Sequence, residues 1–239
     1  MRSRFSLRSN ATEIMDDLNC SGEEVNQTLL ELEVINKWLG GNKVTIGGIK
    51  KLLGKRKVDE TISVADIGCG GGDILKEIAD WGKQQKISLR LTGIDANQNI
   101  ISFAKKNTLD YPEINFITQN VFSDDFAKSK YDIVVATLFT HHFTKKELGA
   151  LFQIIERQSK FGVVINDLHR HWLAYYSIRL LAQWFSKSSM FKFDAPLSVL
   201  RAFRRHDLES IMDEAGIKNY ELRWMWAFRW QLIIQSRLA

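Results

Sequence analysis

The feature that most restricts how this chain can fold is a glycine cluster at a defined place. The run Ser63-Val64-Ala65-Asp66-Ile67 passes into Gly68-Cys69-Gly70-Gly71-Gly72, after which Ile74, Leu75 and Ile78 recur at helical spacing. A short apolar run, a glycine turn and an amphipathic stretch make a strand–turn–helix unit. The same alternation continues downstream. Residues 89–94 read as a second strand before a helix over 98–106, and Ile114–Thr118 as a third strand. Residues 131–136 read as a fourth strand before a helix over 145–158, and 161–165 as a fifth. Strands alternating with helices form βαβ units, hence a parallel sheet with helices on both faces. Two last strands, over 220–226 and 228–235, lie close enough for a hairpin, which adds an antiparallel strand and brings the sheet to seven.

The remaining segments are helical. Over 12–53, Leu29, Leu32, Ile35 and Leu39 repeat at three- and four-residue spacing until Gly40-Gly41 interrupts them. The aromatic stretch 172–193 reads as a helix plus loop inserted before the last unit. A helix over 206–215 ends at Gly216, the preferred residue past a helix C-terminus. A length of 239 residues suits one domain with a small appendage. We divide it into a helical segment over 1–55 and a main domain over 56–239, with an insertion at about 170–205.

Composition narrows the class. With 45% hydrophobic and 26% charged residues and only 2 Cys, collagen, disordered and disulfide-scaffold classes are excluded. Cys20 and Cys69 lack metal-ligand spacing, so no metal is expected and a reducing compartment fits. Arg2, Arg4 and Arg8 precede no apolar signal-peptide stretch, leaving a short transit peptide as the alternative to a cytoplasmic protein. No run approaches the roughly 18 apolar residues of a membrane span. A net charge of +5 and a pI of about 9.1 permit a nucleic-acid partner without requiring one.

In an open α/β sheet, ligands bind beyond the carboxyl ends of the strands, where the glycine turn lies. Glycines allow positive φ and close approach of a ligand, and the following helix offers free N–H groups. A dinucleotide fingerprint fails in either register, because its third glycine would fall on Asp73 or Leu75. A P-loop fails too, since Asp73-Ile74 follows the turn and Asp73 would repel a pyrophosphate. What stands is Asp66-x-Gly68-x-Gly70-x-Gly72 with the acid on the strand. This resembles motif I of the class I S-adenosylmethionine-dependent methyltransferases.

The resemblance extends over roughly residues 60–170. Gly93-Ile94-Asp95 resembles the family's acidic second-strand end, whose carboxylate accepts both ribose hydroxyls. Gln119-Asn120-Val121 stands where the family usually has an adenine-binding Asp; an amide oxygen can still accept that N–H. Tyr131-Asp132-Ile133-Val134-Val135 resembles the fourth strand, followed by Thr137, Leu138 and His141-His142. The resemblance implies a Rossmann-like seven-stranded mixed sheet with the last strand antiparallel and a helical cap. It also implies S-adenosyl-L-methionine as cofactor, held by Asp66, Gly68, Cys69, Gly70, Gly72, Asp95, Ala96, Asn120, Val121 and Thr137. Further stretches, Glu13-Ile14-Met15-Asp16-Asp17, Ile35 to Gly41, Asp167 to Arg170 and Asp194 to Ser198 with Arg201-Ala202-Phe203, resemble a bacterial subgroup of small-molecule tailoring methyltransferases. Where that subgroup has Asn-Arg this chain has Asn36-Lys37, so Lys37 is a candidate for the cofactor's carboxylate.

An oxygen acceptor needs a base unless it arrives ionised, and four of the five histidines, His141, His142, His169 and His171, follow the fourth and fifth strands. Histidine titrates in the right range. His142 and His169 are the candidates, with Asp167 orienting an imidazole or a substrate hydroxyl; the alternative is that these residues only shape loops. Residues 12–33 carry seven acids and no Lys or Arg, whereas 179–205 carry six basic residues against Asp194 alone. The two are expected to pair across a pocket mouth through Arg201, Arg204 and Arg205. The aromatic cap favours a flat or lipid-like small-molecule acceptor, most simply methylated at a hydroxyl oxygen, and leaves peripheral membrane contact open. Carbon methylation of a quinone or aromatic precursor, RNA methylation, and a cofactor-binding protein without turnover are the alternatives. RNA is disfavoured because no RNA-binding module or Asn-Pro-Pro-Tyr-like motif is present.

Overall fold

The computed structural model describes residues 4–54 and 60–236. Arg2 and the boundary expected between 55 and 56 lie outside the described residues. In chain order the elements are α1 (Glu23–Trp38), α2 (Gly41–Leu53), β1 (Ile62–Ile67), α3 (Asp73–Gln85), β2 (Leu89–Asp95), α4 (Gln98–Asn107), β3 (Ile114–Thr118), α5 (Asp124–Lys128) and β4 (Tyr131–Thr137). They continue with α6 (Lys145–Gln158), β5 (Ser159–Leu168), α7 (Trp172–Phe185), α8 (Ser189–Arg201), α9 (Arg205–Ala215), β6 (Tyr220–Met225) and β7 (Arg229–Gln235). The strands form one sheet in the order β3-β2-β1-β4-β5-β7-β6. The first five pair in parallel, and β7 runs antiparallel between β5 and β6. This is the expected seven-stranded mixed sheet with helices on both faces.

Strand alternation divides the core. Ile133 and Val135 of β4 pack with Val64, Val164 and Ile233 beneath α2 and α3, while Val134 and Ala136 pack with Ile165 and Leu232 against α6 and α9. Because both faces are covered, the inner strands read as continuous apolar runs instead of alternating ones. The chain leaves β1 toward β2 and β3, then returns to β4 on β1's other side, so a crevice opens where the order reverses.

Three expectations change. The helix expected throughout 12–53 is a 3-10 turn at Ile14–Asp16, then α1 and α2. Gly22, at φ 94°, lets the chain enter α1 from a conformation other side chains rarely adopt. The expected helix plus loop over 172–193 is α7 and the start of α8, because the Ser188 side chain accepts from the Phe191 N–H and caps a second helix that runs through Pro196. The short helix α5 has no counterpart in the sequence reading; Ser123 caps it and Phe126 anchors it in the core.

Candidate active site

The carboxyl ends of β1, β2, β4 and β5 open into a cavity of about 910 Å³, near the top of the roughly 300–1,000 Å³ range of small-molecule sites. The glycine turn forms its floor. Gly68, Gly70 and Gly72 all have positive φ, and a side chain at Gly68 would overlap the Phe139 ring. The Asp95 carboxylate is fixed by the Asn97 N–H at 2.9 Å and the Gly70 N–H at 3.3 Å. Burial pushes its carboxyl up despite those donors. Leu138, just past β4, sits at φ 54° with its N–H bonded to the Asn166 carbonyl, which turns the chain sharply at the switch point.

Of the candidate cofactor residues, Asp66, Gly68, Cys69, Gly70, Asp95, Ala96, Asn120, Val121 and Thr137 line this cavity, and Gly72 caps α3 just behind it. The Asn120 side-chain oxygen Oδ1 accepts from the Phe122 N–H at 2.9 Å, and Thr137 shares a hydroxyl bond with Thr45. Lys37 is elsewhere. It is exposed and pairs with Glu77 at 3.5 Å, because its place on α1 turns it toward α3 and away from the cavity.

The cation inside is Arg229, at the start of β7. It is buried and its Nη2 donates to Asn36 Oδ1 at 2.5 Å, while its Nε has no hydrogen-bond acceptor. Burial pulls its guanidinium down to about 10. Both Asp66 carboxylate oxygens also lack a hydrogen-bond donor, and burial, then repulsion from Asp73 and Asp95, pushes that carboxyl well up. Unpaired buried carboxylate and guanidinium atoms in residues lining one cavity are costly. A ligand carrying both an ammonium and a carboxylate satisfies both. The local chemistry therefore fits the amino-acid end of S-adenosylmethionine, and the floor fits its adenosyl end.

The same cavity carries further titratable groups. His142 lines the cavity, and its Nδ1 lies 2.5 Å from Asp16 Oδ1. Burial would raise Asp16, but hydrogen bonds from His142 and Arg201 override it and hold the carboxyl far below the usual range. An ionised Asp16 can only accept, so Nδ1 carries the hydrogen and Nε2 is the free nitrogen. Asp167 is buried and serves the neighbouring imidazole. It accepts from Thr140 Oγ1 at 2.6 Å and lies 2.7 Å from His141 Nδ1. Asp167, expected to orient an imidazole or a substrate hydroxyl, thus meets the imidazole of His141 and neither candidate base, because the 3-10 turn Thr140–His142 buries His141 against β5.

His169 is also displaced from its expected place. It faces a separate side cavity with Phe5, His171 and Trp172, accepts from Trp224 Nε1 at 3.2 Å, and burial next to His171 pulls it down to about 4. Successive residues of an extended strand end point to opposite sides, so Leu168 lines the main cavity and His169 does not. Glu13 lines the cavity beside His141 and His142, and one donor atom from each lies within 4.8 Å of the others. Burial pushes Glu13 up to about 7, and Arg201 Nη1 stands 3.5 Å from its Oε1.

Residues 64–162 match the family model described as a methyltransferase domain. That stretch, from β1 into β5, is thus similar to methyltransferase domains. No curated protein sequence matches the chain. Among solved structures, human N-acetylserotonin methyltransferase, in complex with S-adenosylmethionine, is similar at TM-score 0.62 and 15% identity, covering 90% of this chain and 56% of that one. An O-methyltransferase described as putative, from Nostoc punctiforme, is similar at TM-score 0.58 and 16% identity, covering 87% of this chain and 60% of that one. The plantazolicin methyltransferase BpumL, solved with a monoazolic substrate analogue and S-adenosylhomocysteine, is similar at TM-score 0.62 and 18% identity, covering 89% of this chain and 88% of that one. At these identities the shared property is the fold. The methyltransferase domain here spans little more than half the length of the human and cyanobacterial proteins.

The sequence reading missed Arg229, gave no role to Glu13 or Asp16, and passed over His141 as a partner for Asp167. Arg229 had one signal: an arginine opening a strand whose centre, Leu232-Ile233-Ile234, is apolar.

Proposed function

We propose that the protein transfers a methyl group from S-adenosylmethionine to a hydroxyl oxygen of a small, largely apolar acceptor. The observation that carries this reading is the His142–Asp16 pair facing the same cavity as the glycine turn, Asp66 and Asp95. Bound there, the cofactor supplies a sulfonium-borne methyl whose C–S bonding pair departs with sulfur. Asp95 accepts the ribose hydroxyls, Asn120 and Val121 border the adenine, and Asp66 with Arg229 meets the amino-acid end. The hydroxyl of the acceptor gives its proton to His142 Nε2, while Asp16 holds the ring and stabilises the imidazolium. The freed oxygen pair forms the new C–O bond. General-base help of this kind is worth about 10²–10⁴-fold in rate.

Calorimetry with S-adenosylmethionine tests the cofactor half; Asp95→Ala should weaken binding at least about tenfold, and unchanged affinity would remove Asp95 from its role. For the acceptor half, tritiated methyl transfer into extractable metabolites or total RNA separates the classes, and label in RNA alone would overturn the reading. His142→Ala should then lower turnover about 10²-fold while leaving cofactor affinity intact. A product methylated at carbon and an unaffected His142→Ala variant would together point to the other acceptor atom.

A further inference from the structure

Helix α7 presents apolar side chains on two opposite faces. Ala174, Tyr175 and Ala182 are buried against the domain. On the other side Trp172, Leu173, Tyr176, Leu180 and Trp184 are exposed, Trp184 by 73%. At 3.6 residues per turn these five fall in a stripe about 120° wide. A single exposed apolar residue is ordinary, but an aligned stripe rich in Trp and Tyr marks an interaction surface.

The stripe borders the cavity mouth. Ser177 and Leu181 of the same helix line the cavity, as do Trp224 and Trp226 of the β6–β7 hairpin and Leu18, and Trp226 is 76% exposed. Beside it stand Arg179 on the same helix, Lys187 just past its end and Arg204, which shares a side cavity with Trp172 and Tyr176; none of the three is in an ion pair with a described residue. The acids nearby are already engaged: Glu24 accepts from the Ser189 and Met190 N–H groups and Glu31 from the Lys187 N–H. Both stay ionised, since these donors lower their carboxyls, but the side-chain cations beside the stripe outnumber them. No helix among the described residues is long and apolar enough to cross a membrane.

We propose that this face docks on an anionic lipid bilayer, with α7 lying in the interface and the cavity mouth turned to the membrane. An aromatic face flanked by Lys and Arg is the pattern of an interfacial helix, with the rings seated at headgroup depth and the cations meeting lipid phosphates. The acceptor, on the methyltransferase reading above, is then a lipid-like molecule that enters from the bilayer along Trp226 and Leu181.

Vesicle flotation tests this. The protein should float at least about fivefold more with phosphatidylcholine vesicles containing phosphatidylglycerol than with phosphatidylcholine alone. The double variant Leu180→Glu, Trp184→Glu should lose flotation while keeping its circular dichroism melt and its heat of S-adenosylmethionine binding. Absent or equal flotation on the two vesicles, or unaltered flotation of the double variant, would overturn the proposal. So would a dimer in sedimentation that the double variant converts to monomer, because a second copy would then cover the stripe. Flotation does not depend on turnover, so flotation without cofactor binding would discard the methyltransferase reading and leave the docking surface standing.

Discussion

A methyl group added at Gly68 would meet the Phe139 ring while the backbone stays at φ 66°. Two costs coincide there, a left-handed conformation and an overlap that only a shift of the β4 end can relieve. Gly68→Ala should destabilise the fold by about 2–4 kcal/mol in denaturant titration, and full stability would show that the turn is less tightly packed than described. Glu13 gives a pH dependence whose sign follows from burial. Its carboxyl is raised to about 7 from an ordinary 4.5, so the folded state prefers it protonated. Its contribution is full below pH 4.5 and is lost as pH rises through about 7. Glu13→Gln should therefore gain about 1–3 kcal/mol relative to the natural chain on going from pH 5 to pH 8, read from melts at both values. The glycines, Asp66 and Asp95 were legible in the sequence because their chemistry is written within a few neighbours. Arg229 and Asp16 were not, because their partners Asn36 and His142 lie far along the chain and only the folded sheet brings them together.

Among the elements, α8 anchors the segment that delivers Asp16. Asp194 accepts from the Ile14 and Met15 N–H groups at 2.8 and 3.1 Å, and Arg201 Nη1 bonds Asp16 at 2.5 Å. The opposite charges of the two cap pieces do meet, but mostly by another route than paired side chains. Arg201 alone bridges to the acidic segment, Arg205 pairs with Glu209 on its own helix, and the Arg204 N–H donates to Asp207. Glu24 instead takes the free amides at the start of α8, where the helix dipole favours an anion. Asp194→Ala should cost about 1–3 kcal/mol by leaving two amides unpaired, and should expose residues 12–22 to proteolysis. Resistance equal to the natural chain would contradict the anchoring role. Strands were easy to read because buried parallel strands are short apolar runs between breakers. The break before α1 was harder, since Cys20-Ser21-Gly22 interrupts a stretch whose flanks are both helical.

For the molecule as a whole, the unpaired Asp66 and Arg229 atoms leave the fold carrying a cost that, on the proposed function, the cofactor removes. S-adenosylmethionine at a hundredfold excess over its dissociation constant should add about 2.7 kcal/mol to stability. A melting temperature indifferent to the cofactor would contradict the fit. The parallel sheet followed from the alternation of strands and helices, and its seven-stranded mixed form from the family resemblance. The shape of the mouth did not, because it is made by three segments distant in sequence: the strap before α1, the helix α7 and the β6–β7 hairpin. The strap has a further consequence. Glu13–Asp16 and Asp194–Arg201 hold each other and jointly place His142, so neither piece can be exchanged alone. Attempts to retarget the enzyme by grafting a foreign lid would orphan the imidazole unless the matching strap came with it, and relatives that diverge in acceptor should have inherited the two pieces as a pair.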